Sequence, residues 1–134
     1  MAFLKAELLP GSRMVLDALH FETHLAAANL VMTAEGHLDT QTLRGKSVGA
    51  VAAAAAAKTR SIPVIVVVGG VSNEEHALYE MGIAAIVPLP THPMTLDEAM
   101  ASAAPLASRA AERALRLVSM GSQLAHETEG LTSG

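Results

Sequence analysis

An α/β fold, a parallel three-stranded βαβαβ core with helices on both faces, is what the sequence predicts. Two observations carry this. Three short runs, 28–33 (ANLVMT), 63–68 (PVIVVV) and 83–89 (IAAIVPL), are almost wholly apolar, as strands buried on both faces of a parallel sheet must be. Segments with helical periodicity or alanine enrichment separate them, so the order reads α, β, α, β, α, β, α. The connections suit crossover helices, which join parallel strands with a right-handed turn.

Each element has a local cause. Residues 12–19 (SRMVLDAL) follow Pro10 and Gly11 and set Met14, Val15, Ala18 and Leu19 at helical spacing, and 21–27 continue as a second short helix. Residues 48–60 are dominated by alanine, which loses no side-chain entropy in a helix. The run 63–68 is β-branched, carries no polar side chain and ends at Gly69-Gly70, which suits a central strand. Ser72 stands three residues before Glu75 as a capping box, opening a helix over 72–81 that Gly82 closes. Thr95 and Glu98 form a second capping box, ahead of a long helix that Pro105 kinks or splits near Ala104 and that stops at Gly121. Residues 1–125 then make one domain, and 126–134 (HETEGLTSG) read as a disordered tail.

Composition sets outer limits. Hydrophobic residues make up 51% of the 134 and charged residues 16%, which excludes disorder of the chain as a whole. A net charge of −4 gives no broad attraction for nucleic acid or an anionic membrane. Without cysteine there is no disulfide frame and no thiolate chemistry. The start lacks a signal peptide's apolar region, and the longest nearly uncharged run, 47–57, is too short to span a bilayer, so a cytoplasmic protein is expected.

Ligands of such sheets gather at the carboxyl ends of the strands, where the loops 34–46, 69–73 and 90–94 emerge. The first belongs to a stretch of concentrated chemistry, 31–46 (VMTAEGHLDTQTLRGK). Other signals are weaker. Gly45-Lys46-Ser47 resembles the end of a phosphate-binding loop, but the glycine that motif requires is Thr40 here. His20 and His24 have i, i+4 spacing without a third ligand, and read as exposed helix residues. Met81, Met94, Met100 and Met120 read as core fillers.

The 31–46 stretch resembles the segment V-I-T-G-E-G-R-L-D-x-Q-T-x-x-G-K of type I glycerate kinases, the two-domain ATP-dependent kinases of glycerate metabolism. Residues 2–19 are similar to the family's preceding segment, PVIVVVGGV to its strand and Gly-Ser turn, and 77–90 and 94–118 to its last strand and helix. The likeness runs in order from Met1 to about Leu124 and matches only the C-terminal portion of the family enzyme. It implies a Rossmann-like part-domain of the glycerate kinase fold. It also implies a truncated gene product or an experimental fragment, without the family's N-terminal strand, inserted domain and glycine-rich segment.

The resemblance implies glycerate and ATP as substrates, with Mg²⁺. Phosphoryl transfer needs donors around phosphate oxygens, a metal held by carboxylates and a group to orient the attacking hydroxyl. Glu35 and Asp39 supply the carboxylates, as catalytic groups or, for Asp39, as a Mg²⁺ ligand. Thr33, Gln41 and Thr42 hydrogen-bond a hydroxy acid or phosphate. Lys46, ahead of the alanine helix, meets an anion, and Gly36, Gly45, Gly69 and Gly70 permit close backbone approach. Asp39 serves equally as a turn or capping residue, and Lys46 as a solvated helix-end charge. Three positions depart from the family's pattern: Ala34 for glycine, His37 for arginine and Gly70 for serine. Histidine cannot fork two oxygens as arginine does.

Two functions follow as expectations. One is part of an ATP-dependent glycerate kinase, inactive alone. The other is a non-catalytic α/β module that binds a small anion or another chain. Three apolar strands leave two open edges, so self-association, or pairing with the missing N-terminal portion, is expected through an edge or the long helix around Leu106, Ala110 and Leu117.

Overall fold

The computed structural model describes residues 10–41, 47–58, 60–73 and 75–132, with side chains described as far as Glu127. In chain order the elements are α1 (Gly11–Ala18), α2 (Phe21–Ala27), β1 (Val31–Leu38), α3 (Ser47–Ala56), β2 (Val64–Val71), α4 (Glu75–Glu80), β3 (Ala85–Pro88), α5 (Leu96–Ala101) and α6 (Ala103–Thr132). Among the described residues the sheet has three parallel strands in the order β1-β2-β3, with β2 central as its composition predicts. No described helix is long and apolar enough to cross a membrane.

The two faces of β2 are covered differently. Val64, Val66 and Val68 join Val48, Val51, Ala52 and Ala55 of α3, Leu78 of α4 and Leu25 of α2 in one core. Unidirectional strand order with right-handed crossovers puts both crossover helices on one face, which is where that core lies. Ile65 and Val67 point the other way, and α6 packs on β2 and β3, burying Leu106, Ala110 and Ala114. Alanine in α3 and α6 lets helix backbones approach a β-branched surface closely, which is how a chain with three aromatic residues fills its core.

Several boundaries differ from the sequence reading. The first strand spans Val31–Leu38 rather than 28–33, because 34–38 complete the ladder to β2. The glycines 69 and 70 likewise lie within β2 rather than in a loop. The predicted Ser72 capping box does not form: α4 starts at Glu75, and the buried Ser72 hydroxyl has no hydrogen-bond partner among the described residues. Its backbone N–H instead donates to the Leu38 carbonyl at 3.0 Å, prolonging the ladder. Gly82 does close α4, at φ 98°.

The Thr95–Glu98 box is present in both directions. Hydrogen bonds from the Thr95 backbone and side chain hold the Glu98 carboxyl below its ordinary pKa. The helix breaks at Ser102, not at Ala104, so Pro105 falls in the first turn of α6, where no intrahelical N–H is needed. Past Met120, α6 runs through Gly121, whose φ is not positive, and on to Thr132, across residues predicted as a tail. Leu106 and Ala110, expected at an association surface, are buried in the chain's own core.

The first helix turns the other way round from its apolar spacing. Met14, Val15 and Leu19 are exposed, and Leu16 packs against the core instead. Between α1 and α2, His20 adopts φ 50°, ψ 41°, the left-handed conformation. That conformation costs an L-residue roughly 1–2 kcal/mol, part of which glycine's larger unfolded-state entropy offsets. His20→Gly is expected to raise stability by up to about 1 kcal/mol, read as a higher urea midpoint at unchanged slope.

Candidate functional site

The carboxyl ends of β1 and β2 lie side by side. Glu35 neighbours Val68, His37 neighbours Gly70 and Leu38 neighbours Val71. Between these pairs the backbones close up. A Cβ built on Gly69 would stand 2.6 Å from the Gly36 carbonyl oxygen, nearer than real Cβ atoms come, so glycine at 69 is a requirement of backbone approach. Gly36 has open space where its own Cβ would be.

Strand alternation sets Thr33, Glu35 and His37 on one face of β1 and Ala34 and Gly36 on the other. Glu35 is half-buried, and its Oε1 accepts a hydrogen bond from the Gly36 N–H at 3.1 Å. Thr33 lies two residues further inside the strand, beside Val66. Beyond the strand Asp39 is half-buried and Gln41 exposed. Thr42, Gly45 and Lys46 lie outside the described residues. The structure thus brings Glu35, Gly36, Gly69 and Gly70 together, with Asp39 one residue past the end of β1 and Thr33 deeper in the sheet.

His37 and Gly70 are lateral neighbours, and a Cβ on Gly70 would stand 3.1 Å from His37 Nδ1. The histidine ring borders the space that a serine side chain at 70 would occupy.

Sequence reasoning missed two supporting features. Leu38, read as part of a polar loop, is 0% exposed and belongs to the core with Val48 of α3, so it pins the strand end that carries Glu35. The alternating pattern up to Leu38 was the available signal. The second feature is a groove of about 450 Å³ beyond β3, lined in part by His92, Ser102, Leu106 and Arg109. Arg113 steadies that side by donating to the Pro88 carbonyl at 3.2 Å. A further cleft, about 390 Å³ between α1, α2 and α3, is lined by Leu16, Phe21, Ala53 and Ala54 and lies away from the strand ends.

Glu35 on β1 and Asp39 one residue past its end are the carboxylates of this stretch, both half-buried. That donor set fits Mg²⁺, which takes one or two protein carboxylates and completes its shell with water and phosphate oxygens. Among the described residues no group of three or more histidines and carboxylates could hold a metal ion with protein ligands alone. The arrangement sets a half-buried carboxylate, Glu35, beside closely approaching backbone at Gly36 and Gly69.

The model of the glycerate kinase family matches residues 1–119. A glycerate kinase of Bacillus cereus is 43% identical over 98 residues, 73% of this chain and 25% of its own length. One of Halalkalibacterium halodurans is 40% identical over 110 residues, 82% of this chain and 28% of its length. The glycerate 2-kinase of Escherichia coli is 38% identical over 103 residues, 77% of this chain and 26% of its length. The chain spans about a quarter of the length of these relatives. With the match covering both strand ends, the close glycine contact and the helix that packs behind them, the chain belongs to the glycerate kinase family.

Proposed function

We propose that this chain supplies the acceptor-side carboxylates of an ATP-dependent glycerate kinase, cytoplasmic and sharing its active site with further family segments. The observation that carries the reading is the placement of Glu35 at the open carboxyl edge, beside the tight Gly36–Gly69 backbone contact. Glu35 accepts the proton of the attacking glycerate hydroxyl, and Asp39 holds Mg²⁺. When bound, that ion neutralises charge on the phosphate oxygens. Thr33, Gln41 and Thr42 hydrogen-bond the acid or a phosphate. Lys46, just before α3 in the sequence, adds positive charge. The name of the Escherichia coli relative favours the 2-hydroxyl as acceptor.

The test exchanges the matching quarter of the Bacillus cereus enzyme for this chain. The folded chimera is expected to release ADP with glycerate and Mg-ATP, and Glu35→Gln to lower its kcat by about 10²–10⁴-fold at unchanged melting temperature. The 134-residue chain alone is expected to give no turnover. A folded but inactive chimera, or indifference to Glu35→Gln, would overturn the reading. So would turnover by the chain alone at the roughly 1–100 s⁻¹ usual for kinases.

A further inference from the structure

Helix α6 carries two different surfaces in succession. Up to Ala114 it buries Leu106, Ala110 and Ala114 against its own fold. From Leu115 to Glu127 every side chain is exposed. Yet the buried stripe does not end there: the same three-and-four spacing continues through Leu117, Gly121 and Leu124. Leu117 is 64% exposed and Leu124 56%, with Met120 beside them at 52%.

Three further facts say what covers this stripe. A helical segment of this length is marginal in water on its own, and helices in proteins owe most of their stability to packing of an apolar face. Gly121 costs about 1 kcal/mol relative to alanine inside a helix, and among the described residues a Cβ there would meet nothing, so its smallness serves no contact with them. Charge then picks the partner. Arg109, Arg113 and Arg116 precede the stripe, residues 117–125 carry no charge, and Glu127 follows. Glu112 and Arg116 engage each other at 2.8 Å, which leaves Arg109 and Arg113 as the net cations of that end, Arg113 also donating to the neutral Pro88 carbonyl. A neutral apolar segment with cations at one end and an acid at the other is complementary to itself when reversed. Parallel pairing sets arginine against arginine. Antiparallel pairing about Met120 sets Arg113 opposite Glu127, since each lies seven residues from it.

We propose that two copies of this chain pair through α6 between Arg113 and Glu127, antiparallel, with the twofold axis beside Met120 and Gly121. Such an isologous contact uses one patch twice and closes on itself. It rests on the helix alone and is independent of the catalytic reading.

Sedimentation of the 134-residue protein at tens of micromolar is expected to give twice the chain mass of 13.8 kDa. Leu117→Asp with Leu124→Asp, both at exposed sites, should return the single-chain mass with the melting transition retained. Glu127→Lys, which opposes like charges, should raise the dimer Kd by about tenfold. The chain has no cysteine, so Met120→Cys reports the axis directly. It should oxidise to a covalent dimer, while Thr91→Cys, on the loop after β3, should not. A single-chain mass at that concentration would overturn the proposal. So would a dimer that survives both aspartates or fails to cross-link at 120.

Discussion

Leu38→Ala is expected to cost about 2–5 kcal/mol, the range for truncating a fully buried leucine. A domain of this kind has about 5–15 kcal/mol in total, so one substitution removes a large share. The effect is large because Leu38 closes the core at the junction of β1 with α3, where Val48 is also fully buried. Chemical denaturation should show a lower midpoint. The chimera with the Bacillus cereus enzyme should also lose turnover at temperatures where it remains folded, because Glu35 sits three residues away on the loosened strand. A change below about 1 kcal/mol would mean that the strand end is held by something other than this side chain.

Gly69→Ala is expected to cost about 1–3 kcal/mol, as overpacking does in a site that cannot give way. The atom in the way is the Gly36 carbonyl oxygen, at 2.6 Å, and it belongs to backbone rather than to a flexible side-chain end. β1 must therefore move away from β2 where Glu35 and His37 are carried. The paired control is Gly36→Ala, which meets open space and should be neutral or slightly stabilising. Urea titration of both variants reads this asymmetry. Equal losses at the two positions would show that glycine is needed there for conformational freedom and not for close approach.

Much of this was legible in the residues. The order of elements, the central place of the PVIVVV strand, the Gly82 stop and the Thr95–Glu98 cap all follow from local pattern, and each is present. What local pattern lacks is register. Residues 34–38 look like loop because glutamate, glycine and histidine are poor strand formers. They are strand because Val68 to Val71 offer them backbone partners. The contact between Gly36 and Gly69 joins positions 33 apart in the chain and exists only in that register. Pro105 shows the same limit: a proline reads as a break, whereas a break at Ser102 makes it a first-turn residue. For the site, the chemistry at Glu35 and Asp39 was readable from residue types. The coupling of His37 with Gly70 was not, since it depends on which residues become neighbours across the sheet.

The two margins of the sheet are unequal hosts for a stray strand. β3 offers four residues and ends in Pro88, whose nitrogen carries no hydrogen, so an intruder gains little there. β1 offers eight residues with no proline, and among the described strands it pairs on one side only, with β2. Aggregation during refolding at high concentration is therefore expected to start on the β1 margin rather than at β3. A chain captured there lies along the strand that carries Glu35 and ends at Leu38, so solubility and ligand access are expected to be lost in the same event. Dilution, or a soluble peptide cap matched to β1, should protect both together.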